Sequence, residues 1–571
     1  MRLLFLFLLN LFGISIHFKM TKNIPFRWIA IAISASTVLA LSACVKDLKI
    51  KKIAGIEWNP EFAVPLVYSS ITAKDVMVAT YKGGSLTEDQ DHFITLVYRG
   101  NLLSLTAADF VKFPDQSVNN SLDITSASAL LLNTPGTVSI PFSQNITLST
   151  GSGGSRIDTL YLKSGMLKIQ VESDIDNNGS IAISIPGATK NGIAFSATLP
   201  LTYNGGSVTT STVQADLSGY RIVTSSPAPP DNQLQINCNM TFTGASGSAT
   251  AGDQIRFTES FSNLQFSKLY GYINQPLLSP NADTVLVDLF NNSIGGGTFT
   301  LADPKFRVFI TNSYGLPILA NFGLFQGYNQ NRTPSTYNIL GAGIPNPLPI
   351  GSPTIQQIGQ SILTNFELNK DNSNIVDIIN NTPPYVIYQI NALANPAGVA
   401  PPSAPNFVLD TSNFKVDMEI EMPLYGTAKG FTVQDTVESF TFEDATHLDY
   451  LLLRTSIDNG FPCDVKIQVY FTDSVFNKLD SLVTGSDPII LSAAPVDANG
   501  RVSAPSSKTT DVVLEKERIS KLNKLKYMLV KADASTNNNG QTNVRIYSDY
   551  SLAVKIGADA KVNFTINPNG Q

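Results

Sequence analysis

The chain has 571 residues, and 15% of them are charged, against about 25% in an average soluble domain. Its formal net charge is −6. A weak acidic charge spread over this length provides no field that would attract nucleic acid, so the composition excludes nucleic acid as a partner. At about 150 residues per domain, the length suggests three or four domains, each with room for a proper core.

The first 43 residues are typical of an export leader. A short basic stretch with Lys22 and Arg27 precedes an apolar segment that ends in Leu41-Ser42-Ala43-Cys44. This order of basic, apolar and small residues predicts a signal peptide over residues 1–43. Because Met20 already begins a complete leader of this kind, we take Met20 as the true start.

With a cysteine at the cleavage point, the segment resembles a bacterial lipobox. The resemblance implies cleavage before Cys44, covalent lipid on this residue and a chain that the lipid anchors. Neither apolar run near the N-terminus reaches the roughly 20 residues that a membrane span needs. Asp does not follow Cys44, which by the same resemblance favours the outer membrane over the inner. Whether the protein faces the periplasm or the cell surface stays open.

The next residues predict a tether and then an extended strand. Residues 44–57 are rich in lysine and lie next to the lipid site, so we expect a lipidated tether. Residues 58–66 have the sequence Trp-Asn-Pro-Glu-Phe-Ala-Val-Pro-Leu, and its two prolines favour an edge strand. This opening resembles the start of large, uncharacterised lipoproteins of Bacteroidetes-type outer membranes. The resemblance concerns location and implies no activity.

From about residue 85 the pattern predicts an all-β chain of tandem antiparallel β-sandwich modules, immunoglobulin-like, with minor helix. Three strand–turn–strand units recur, over residues 166–185, 306–318 and 451–471. The first contains Asn178-Gly179, a pair typical of hairpin turns, so we predict hairpins. The segment 312–318, which follows Asp303-Pro304-Lys305, resembles the immunoglobulin-like water-stress domains of the LEA14 type.

The predicted organisation after the tether has four parts. These are an N-terminal β region (58–150), a β-sandwich module (151–270), a β module with a Pro/Gly/Asn-rich insertion (271–410) and a C-terminal β module with one amphipathic helix (411–571). Within the insertion, which spans about residues 325–405, residues 355–368 are predicted to be helical. Leu514, Ile519, Leu522 and Leu525 recur at helical spacing and predict a helix over 514–525 that packs on a sheet.

Histidine is scarce, which limits the catalytic and metal sites that the chain can build. Outside the leader the only histidines are His92 and His447, so a nucleophilic triad would have to use one of them. Asp444 and His447 form a weak candidate for a metal site. No phosphate-binding or dinucleotide-binding fingerprint is present, and we expect no catalytic residue and no cofactor beyond the lipid on Cys44.

Asp174, Asp176 and Asn178, followed by Gly179, match the opening of a calcium loop, in which oxygens at alternate positions surround the ion. The twelfth position is Ile185 instead of the bidentate glutamate. A polar turn is therefore the interpretation that we favour.

Three carboxylates alternate along one predicted strand, at Asp417, Glu419 and Glu421. Side chains two positions apart on a strand lie roughly 6.5 to 7 Å apart, within the range of glycosidase carboxyl pairs. A solvent-facing strand is the alternative. Cys238 and Cys463 are predicted to be buried and unpaired, with a disulfide as the alternative.

Five Asp-Ser/Thr-aliphatic triplets resemble the O-glycosylation sequon of Bacteroidetes-type exported proteins. The acceptor residues that this resemblance implies are Thr159, Thr284, Thr436, Ser474 and Ser481.

Together these features predict a lipid-anchored outer-membrane protein that acts as a binding or scaffolding component of the cell envelope, without catalysis. Its partners would be the outer membrane, through the lipid anchor, and another envelope protein or a glycan. The alternative is a glycan-binding or glycan-hydrolysing lipoprotein.

Overall fold

The structure is a computed structural model of the chain. It describes residues 56–58, 60–74, 85–151, 153–224, 231–244, 248–275, 277–278, 281–287, 298–438, 448–484 and 489–566. Strands hold 59% of the described residues and helices 8%. The predicted fold class, all-β with antiparallel β-sandwich packing and minor helix, is confirmed.

Along the chain the strands alternate with short turns, as the residue pattern predicts. The strands before residue 290 are β1 (Ile56–Trp58), β2 (Glu61–Thr72), β3 (Ser85–Glu88), β4 (Ile94–Thr106), β5 (Gln116–Asp123), β6 (Gly136–Thr147), β7 (Arg156–Ser173), β8 (Gly179–Lys190), β9 (Ile193–Leu201), β10 (Thr209–Asp216), β11 (Arg221–Val223), β12 (Gln233–Gly244), β13 (Gln254–Tyr272), β14 (Leu277–Leu278) and β15 (Asp283–Leu286). The strands that follow are β16 (Thr298–Leu301), β17 (Lys305–Asn312), β18 (Ile318–Tyr328), β19 (Thr336–Asn338), β20 (Leu348–Ile350), β21 (Ile362–Leu368), β22 (Tyr385–Ala394), β23 (Asn406–Leu409), β24 (Asn413–Pro423), β25 (Tyr425–Lys429), β26 (Phe431–Glu438), β27 (Leu448–Asn459), β28 (Cys463–Thr472), β29 (Lys478–Ser481), β30 (Ile489–Leu491), β31 (Ser506–Glu515), β32 (Tyr527–Thr536), β33 (Val544–Arg545), β34 (Ser551–Val562) and β35 (Phe564–Ile566). The helical segments are α1 (Ala107–Phe110), α2 (Ser126–Leu132), α3 (Ile375–Asn380), α4 (Lys516–Lys521), the 3₁₀ turns Ile355–Gln357 and Leu522–Lys524, and the turn Asn537–Gly540.

The chain forms two compact units, each made of segments that are separated in the sequence. Unit 1 consists of Met1–Tyr98, Asp288–Pro304 and Glu421–Gln571, and unit 2 consists of Arg99–Val287 and Lys305–Ile420. The predicted module boundaries after residues 150, 270 and 410 are not the points at which the chain passes between these units. The division into consecutive modules stays a prediction.

Unit 2 contains a ten-stranded sheet that folds back on itself. Its main path runs β23-β13-β7-β11-β8-β12-β6, while β10 pairs with β7, β5 with β13 and β9 with β8. The three-residue β11 joins two halves, because Ile222 lies opposite both Leu160 of β7 and Ala188 of β8. We call β5, β7, β10, β13 and β23 the β7 half, and β6, β8, β9 and β12 the β12 half. The halves face each other, since Phe142 of β6 stacks on Phe257 of β13 at 5.4 Å.

The rest of unit 2 is built from two further groups of strands. β22 pairs with β18, β14 and β15, and β18 also pairs with β19 and β20. The other group has the strand order β21-β17-β24-β4. Its core includes the fully buried Tyr314, whose ring lies 4.4 Å from that of Phe110.

Unit 1 contains two larger sheets, with the strand orders β2-β34-β27-β31 and β26-β32-β28-β29. β2 lies at the edge of the first sheet, and its register against β34 shifts between Pro65 and Val67. The predicted edge strand is therefore confirmed, because a proline that cannot donate a hydrogen bond is accommodated at an edge and at a bulge.

The three strand–turn–strand units exist, but their strands do not pair as hairpins. β7 is flanked by β13 on one side and by β10 and β11 on the other, and β8 is flanked by β9, β11 and β12. β17 and β18, and likewise β27 and β28, also lie beside other strands than each other. Each strand–turn–strand segment therefore connects two sheets or the two halves of one sheet. The hairpin predicted at Asn178-Gly179 is wrong.

In each strand–turn–strand segment, the residue that ends the first strand explains why the chain crosses to another sheet or to the other half of the sheet. Ser173 Oγ, Asn312 Oδ1 and Asn459 Oδ1 each accept a hydrogen bond from the backbone N–H two residues further on. The donors are Ile175 (3.1 Å), Tyr314 (2.9 Å) and Phe461 (3.0 Å), and all three are buried. This local turn directs an apolar side chain into the core, whereas a hairpin would return the chain beside its own strand.

The prediction of a helix over 355–368 is wrong. A 3₁₀ turn covers Ile355–Gln357, and Gly359 then adopts a left-handed φ of +85°, which ends it. Residues 362–368 form β21, which pairs with β17, because their apolar residues alternate as a strand requires. The region 325–405, predicted as an insertion or a long loop, thus supplies strands to the sheets of unit 2.

The C-terminal amphipathic helix is present but shorter than predicted. Leu514 lies in β31, which ends at Glu515, and α4 begins at Lys516. Ile519, Leu522 and Leu525 are buried, which confirms that the apolar face of this segment packs on the protein.

Cys238 in unit 2 and Cys463 in unit 1 are free and buried, as predicted. Burial raises the pKa of each thiol to about 12. Residues 1–55, with the predicted leader, the start at Met20, the lipid site Cys44 and most of the tether, lie outside the described residues. No helix in the described part of the chain is long and apolar enough to cross a membrane.

Candidate functional site

The predicted calcium-loop residues lie in the connection from β7 to β8, where each has a protein partner. Asp174 accepts two hydrogen bonds from Arg256, at 2.6 and 2.8 Å. Asp176 accepts a hydrogen bond from Ser248, and Asn178 Oδ1 accepts one from the backbone of Tyr203 at 2.8 Å. The hydrogen bonds from Arg256 lower the pKa of Asp174. These contacts hold the chain in place where it crosses between the two halves of the sheet. In the described residues, no group of three or more His, Cys, Asp or Glu side chains could hold a metal ion.

The predicted acidic strand is β24, and its central carboxylate is neutralised by arginine. Glu419 is 8% exposed and forms ion pairs of 2.8 Å with Arg99 and 2.9 Å with Arg307. Arg307 also pairs with Glu367 at 2.7 Å. Asp417 pairs with Lys415 at 2.8 Å. Asp417 and Glu419 of β24 therefore take part in ion pairs, and those of Glu419 reach the neighbouring strands β4 and β17.

Of the remaining candidates for catalysis or metal binding, His92 lies within the described residues. His92 is exposed, has a left-handed φ of +68°, and its Nδ1 lies 3.7 Å from Glu88. Asp444 and His447 lie outside the described residues. Asp449, which follows that region, pairs with Lys516 at 2.8 Å.

The five candidate glycosylation acceptors differ in accessibility. Thr284, Thr436 and Ser474 are exposed, and Thr159 is half-buried in β7. Ser481 is 7% exposed and donates a hydrogen bond to the carbonyl of Val483 at 2.9 Å. Modification is therefore sterically open at the first three positions and opposed at Ser481.

A buried polar cluster between the two halves of the sheet was not predicted. Glu259 of β13 is fully buried and accepts a hydrogen bond from Gln144 of β6. In the described part of the chain, the second carboxylate oxygen of Glu259 and Oε1 of Gln144 have no hydrogen-bond partner. Loss of hydration raises the pKa of Glu259 to about 7. A buried carboxyl group is expected to be protonated, and so uncharged, where no cation compensates it.

The outer face of the β12 half is a second feature that the sequence reasoning missed. Residues 136–147, 179–186, 193–201 and 233–244, which form most of these four strands, contain no charged residue, although 15% of the whole chain is charged. Most of their outward positions are occupied by Ser, Thr, Asn, Gln, Ala and Pro, and Ile193 at the start of β9 is also exposed. We call this surface the neutral face.

Cross-strand pairing arranges the neutral face in rows. In one row Ser143, Asn237, Ser184 and Ser196 lie opposite one another on β6, β12, β8 and β9. The next row consists of Pro141, Asn239, Ala182 and Thr198. Because these side chains are small, the rows line a shallow depression of about 590 Å³.

The two asparagines at the centre of the neutral face have unused donors. Asn237 Oδ1 accepts a hydrogen bond from Ser143, and Asn239 Oδ1 accepts one from Ser139, both at 2.9 Å. Their Nδ2 groups have no partner among the described residues. The depression therefore offers oriented amide donors beside serine hydroxyls, which both donate and accept.

The outer face of the β7 half is different, because it carries ion pairs. Arg256 contacts Asp174 at 2.6 Å and Glu172 at 3.6 Å, and Lys163 contacts Asp410 at 2.9 Å. The lack of charge is thus specific to the β12 half and is not a general property of unit 2.

Comparisons with known proteins add little to this description. No family model and no curated protein matches the chain. Among solved structures it is similar to a "putative secreted protein" from Parabacteroides distasonis, with a TM-score of 0.26 and 9% identity over 52% of this chain and 89% of that chain. It is also similar to a chain in the structure of infectious bursal disease virus, with a TM-score of 0.12 and 9% identity over 80% of this chain and 82% of that chain. Likenesses at these TM-scores carry no argument about function.

Proposed function

We propose that the protein is a non-catalytic binding component of the bacterial cell envelope, held at the outer membrane by lipid on Cys44. The observation that carries the binding part of this proposal is the neutral face with its unused amide donors at Asn237 and Asn239. The anchoring part is supported by the leader and by the Leu41-Ser42-Ala43-Cys44 segment.

The neutral face suits recognition because its strands hold the donors in place before any ligand arrives. A preorganised surface loses less conformational entropy on binding than a loop that must become ordered. With no charge on the face, an ion would gain no compensating partner there, so the proposed ligand is neutral and polar. The paired carboxylates of β24 support a non-catalytic role, because Glu419 is held by two arginines.

A glycan-binding role is the second candidate, and the same surface favours it. Sugar hydroxyls both donate and accept hydrogen bonds, as the Asn and Ser side chains of the neutral face do. Pro141 and Ala182 provide small apolar areas against which the C–H groups of a sugar ring could pack. Of the two glycan alternatives, this surface supports binding over hydrolysis.

The binding part is tested with isosteric substitutions that add a charge. Asn237→Asp and Asn239→Asp should each lower binding in a screen of neutral cell-envelope glycans and envelope proteins by about tenfold, because a buried contact with an unpaired carboxylate opposes binding. Asn119→Asp on the β7 half is the matched control, since Asn119 Oδ1 accepts a hydrogen bond from Thr258 at 2.9 Å just as Asn239 accepts one from Ser139. Equal binding by all three variants would remove the neutral face from the proposal.

The anchoring part is tested separately. Cys44→Ala should leave unprocessed precursor or soluble protein, because the residue that would carry the lipid is gone. Fractionation of this variant with the outer membrane at wild-type mass would show that the lipid assignment is wrong.

A further inference from the structure

The loop between β28 and β29 in unit 1 exposes two adjacent apolar side chains. Val475 is 70% exposed and Phe476 is 55% exposed. Phe476 also adopts a left-handed φ of +63°, a conformation that asparagine and glycine adopt readily and a bulky aromatic residue rarely does. We call residues 473–477 the apolar tip.

The apolar tip is held rigidly by Asp473. Its Oδ1 accepts hydrogen bonds from the backbone of Val475 and Asn477, both at 2.9 Å, and its Oδ2 accepts one from Nδ2 of Asn477 at 3.0 Å. The backbone of Phe476 donates to the carbonyl of Asp473 at 3.2 Å. The exposed pair is therefore presented by a closed turn and is not a frayed segment.

Packing accounts for only part of this arrangement. The ring of Phe476 stacks on Tyr527 at 4.9 Å with an interplanar angle of 12°. This contact covers one face of the phenylalanine and leaves more than half of its surface in water, while Val475 stays largely uncovered. A strained backbone that keeps apolar groups exposed points to a contact outside the described chain.

Three lysines lie near the apolar tip. Lys526 Nζ lies 6.0 Å from the ring of Tyr527, and Lys478 Nζ lies 4.8 Å from the ring of Tyr470. Lys524 is close enough to lower the pKa of Asp473, after the larger effect of the hydrogen bond from Asn477. The carboxylate oxygens of Asp473 already serve the turn itself, although Glu438 of β26 lies opposite Tyr527 in the sheet register.

We propose that the apolar tip is a membrane-contact site that inserts Val475 and Phe476 among the headgroups of an anionic lipid surface. Apolar groups with lysines nearby match such a surface, because the hydrocarbon boundary takes up the apolar groups and the anionic headgroups attract the lysines. The positive charge of these lysines favours anionic lipid over zwitterionic lipid. The contact is independent of the lipid on Cys44 and of the neutral face.

The test uses the chain from residue 44 onward with Cys44→Ser, so that no covalent lipid contributes. Sedimentation with vesicles of phosphatidylglycerol and phosphatidylethanolamine should show binding, and pure phosphatidylcholine vesicles should bind at least tenfold less. Val475→Ser with Phe476→Asn should lower binding to the anionic vesicles about tenfold, and Asn suits the left-handed backbone, so the fold is kept. Lys524→Gln with Lys526→Gln should lower binding and weaken its dependence on salt.

The control is Leu130→Ser with Leu131→Ser, which removes two other exposed apolar side chains, 70% and 57% exposed, on α2 of unit 2. This variant should bind like the parent chain. Equal binding by the tip variant and the parent, equal loss in the control, or no binding of the parent to anionic vesicles would each overturn the proposal. Far-UV circular dichroism of every variant verifies that the sheets are intact.

Discussion

Replacing Glu259 by glutamine should stabilise unit 2, and the gain should depend on pH. The side chain is fully buried between the two halves of the sheet, where loss of hydration raises its pKa from 4.5 to about 7. Because the folded pKa lies above the unfolded one, the protonated acid favours folding below pH 4.5. This contribution is lost as the pH rises through 7, where the folded state must bury a charge.

The magnitude follows from the size of the shift. One pKa unit corresponds to about 1.4 kcal/mol, so a shift from 4.5 to about 7 corresponds to about 3 kcal/mol of stability lost between pH 4 and pH 8.5. Glutamine has nearly the same shape and no charge, so the Glu259→Gln variant should not lose this amount. The free energy of unfolding should therefore favour the variant by about 3 kcal/mol more at pH 8.5 than at pH 4.

The assay is urea unfolding followed by pulse proteolysis, with the fragments of unit 2 identified by mass. Each protein is measured across the pH range, and only the difference between variant and wild type is interpreted, so that other titrating groups cancel. A difference that does not change with pH, or one that falls as the pH rises, would show that Glu259 is ionised in the folded protein and compensated by a partner.

Three further predictions rest on other buried polar groups. Glu419→Gln should destabilise unit 2 by about 2 kcal/mol at pH 7, with a smaller loss in high salt, because Arg99 and Arg307 lose a shared anion; equal urea midpoints would contradict this. Asn312→Ala and Asn459→Ala should each cost about 2 to 3 kcal/mol in urea unfolding, since each leaves buried backbone groups without partners, and a cost below about 0.5 kcal/mol would refute the role of these turns. Cys238 and Cys463 should react with a thiol reagent at pH 8 only after unfolding, because burial raises both thiol pKa values to about 12, and rapid labelling of the native protein would disagree.

The sequence predicted strands well but could not predict their partners. Residues 166–172 and 465–471 lie within β7 and β28, because alternation shows which side chains face the core. Alternation is the same whether the next strand lies alongside or across the sandwich. The deciding hydrogen bonds, such as that from the Tyr314 backbone to Asn312, depend on how the turn is buried, which the residue pattern does not reveal.

For the candidate site, too, the sequence could have predicted some features and not others. The charge-free stretches 136–147 and 233–244 stand in the sequence, and their alternation would have placed uncharged polar residues together on one face of a sheet. Glu259 could also have been found, since it occupies a core position in the alternation of Ile255, Phe257 and Phe261. The left-handed backbone and exposure of Phe476 could not, because no nearby residue type predicts them.

The pairing of β1 with β35 and of β2 with β34 imposes an order on how the chain can be completed. Both early strands find their partners only among the last residues, near Ser551–Val562 and Phe564–Ile566. Unit 2 ends at Ile420, so all of its strands have been synthesised before β34 exists. During synthesis β1 and β2 therefore lack these pairing partners until β34 and β35 have been made. A chain that stops short of β34 would leave β2 with an open edge, so premature termination exposes the very segment that follows the proposed lipid anchor.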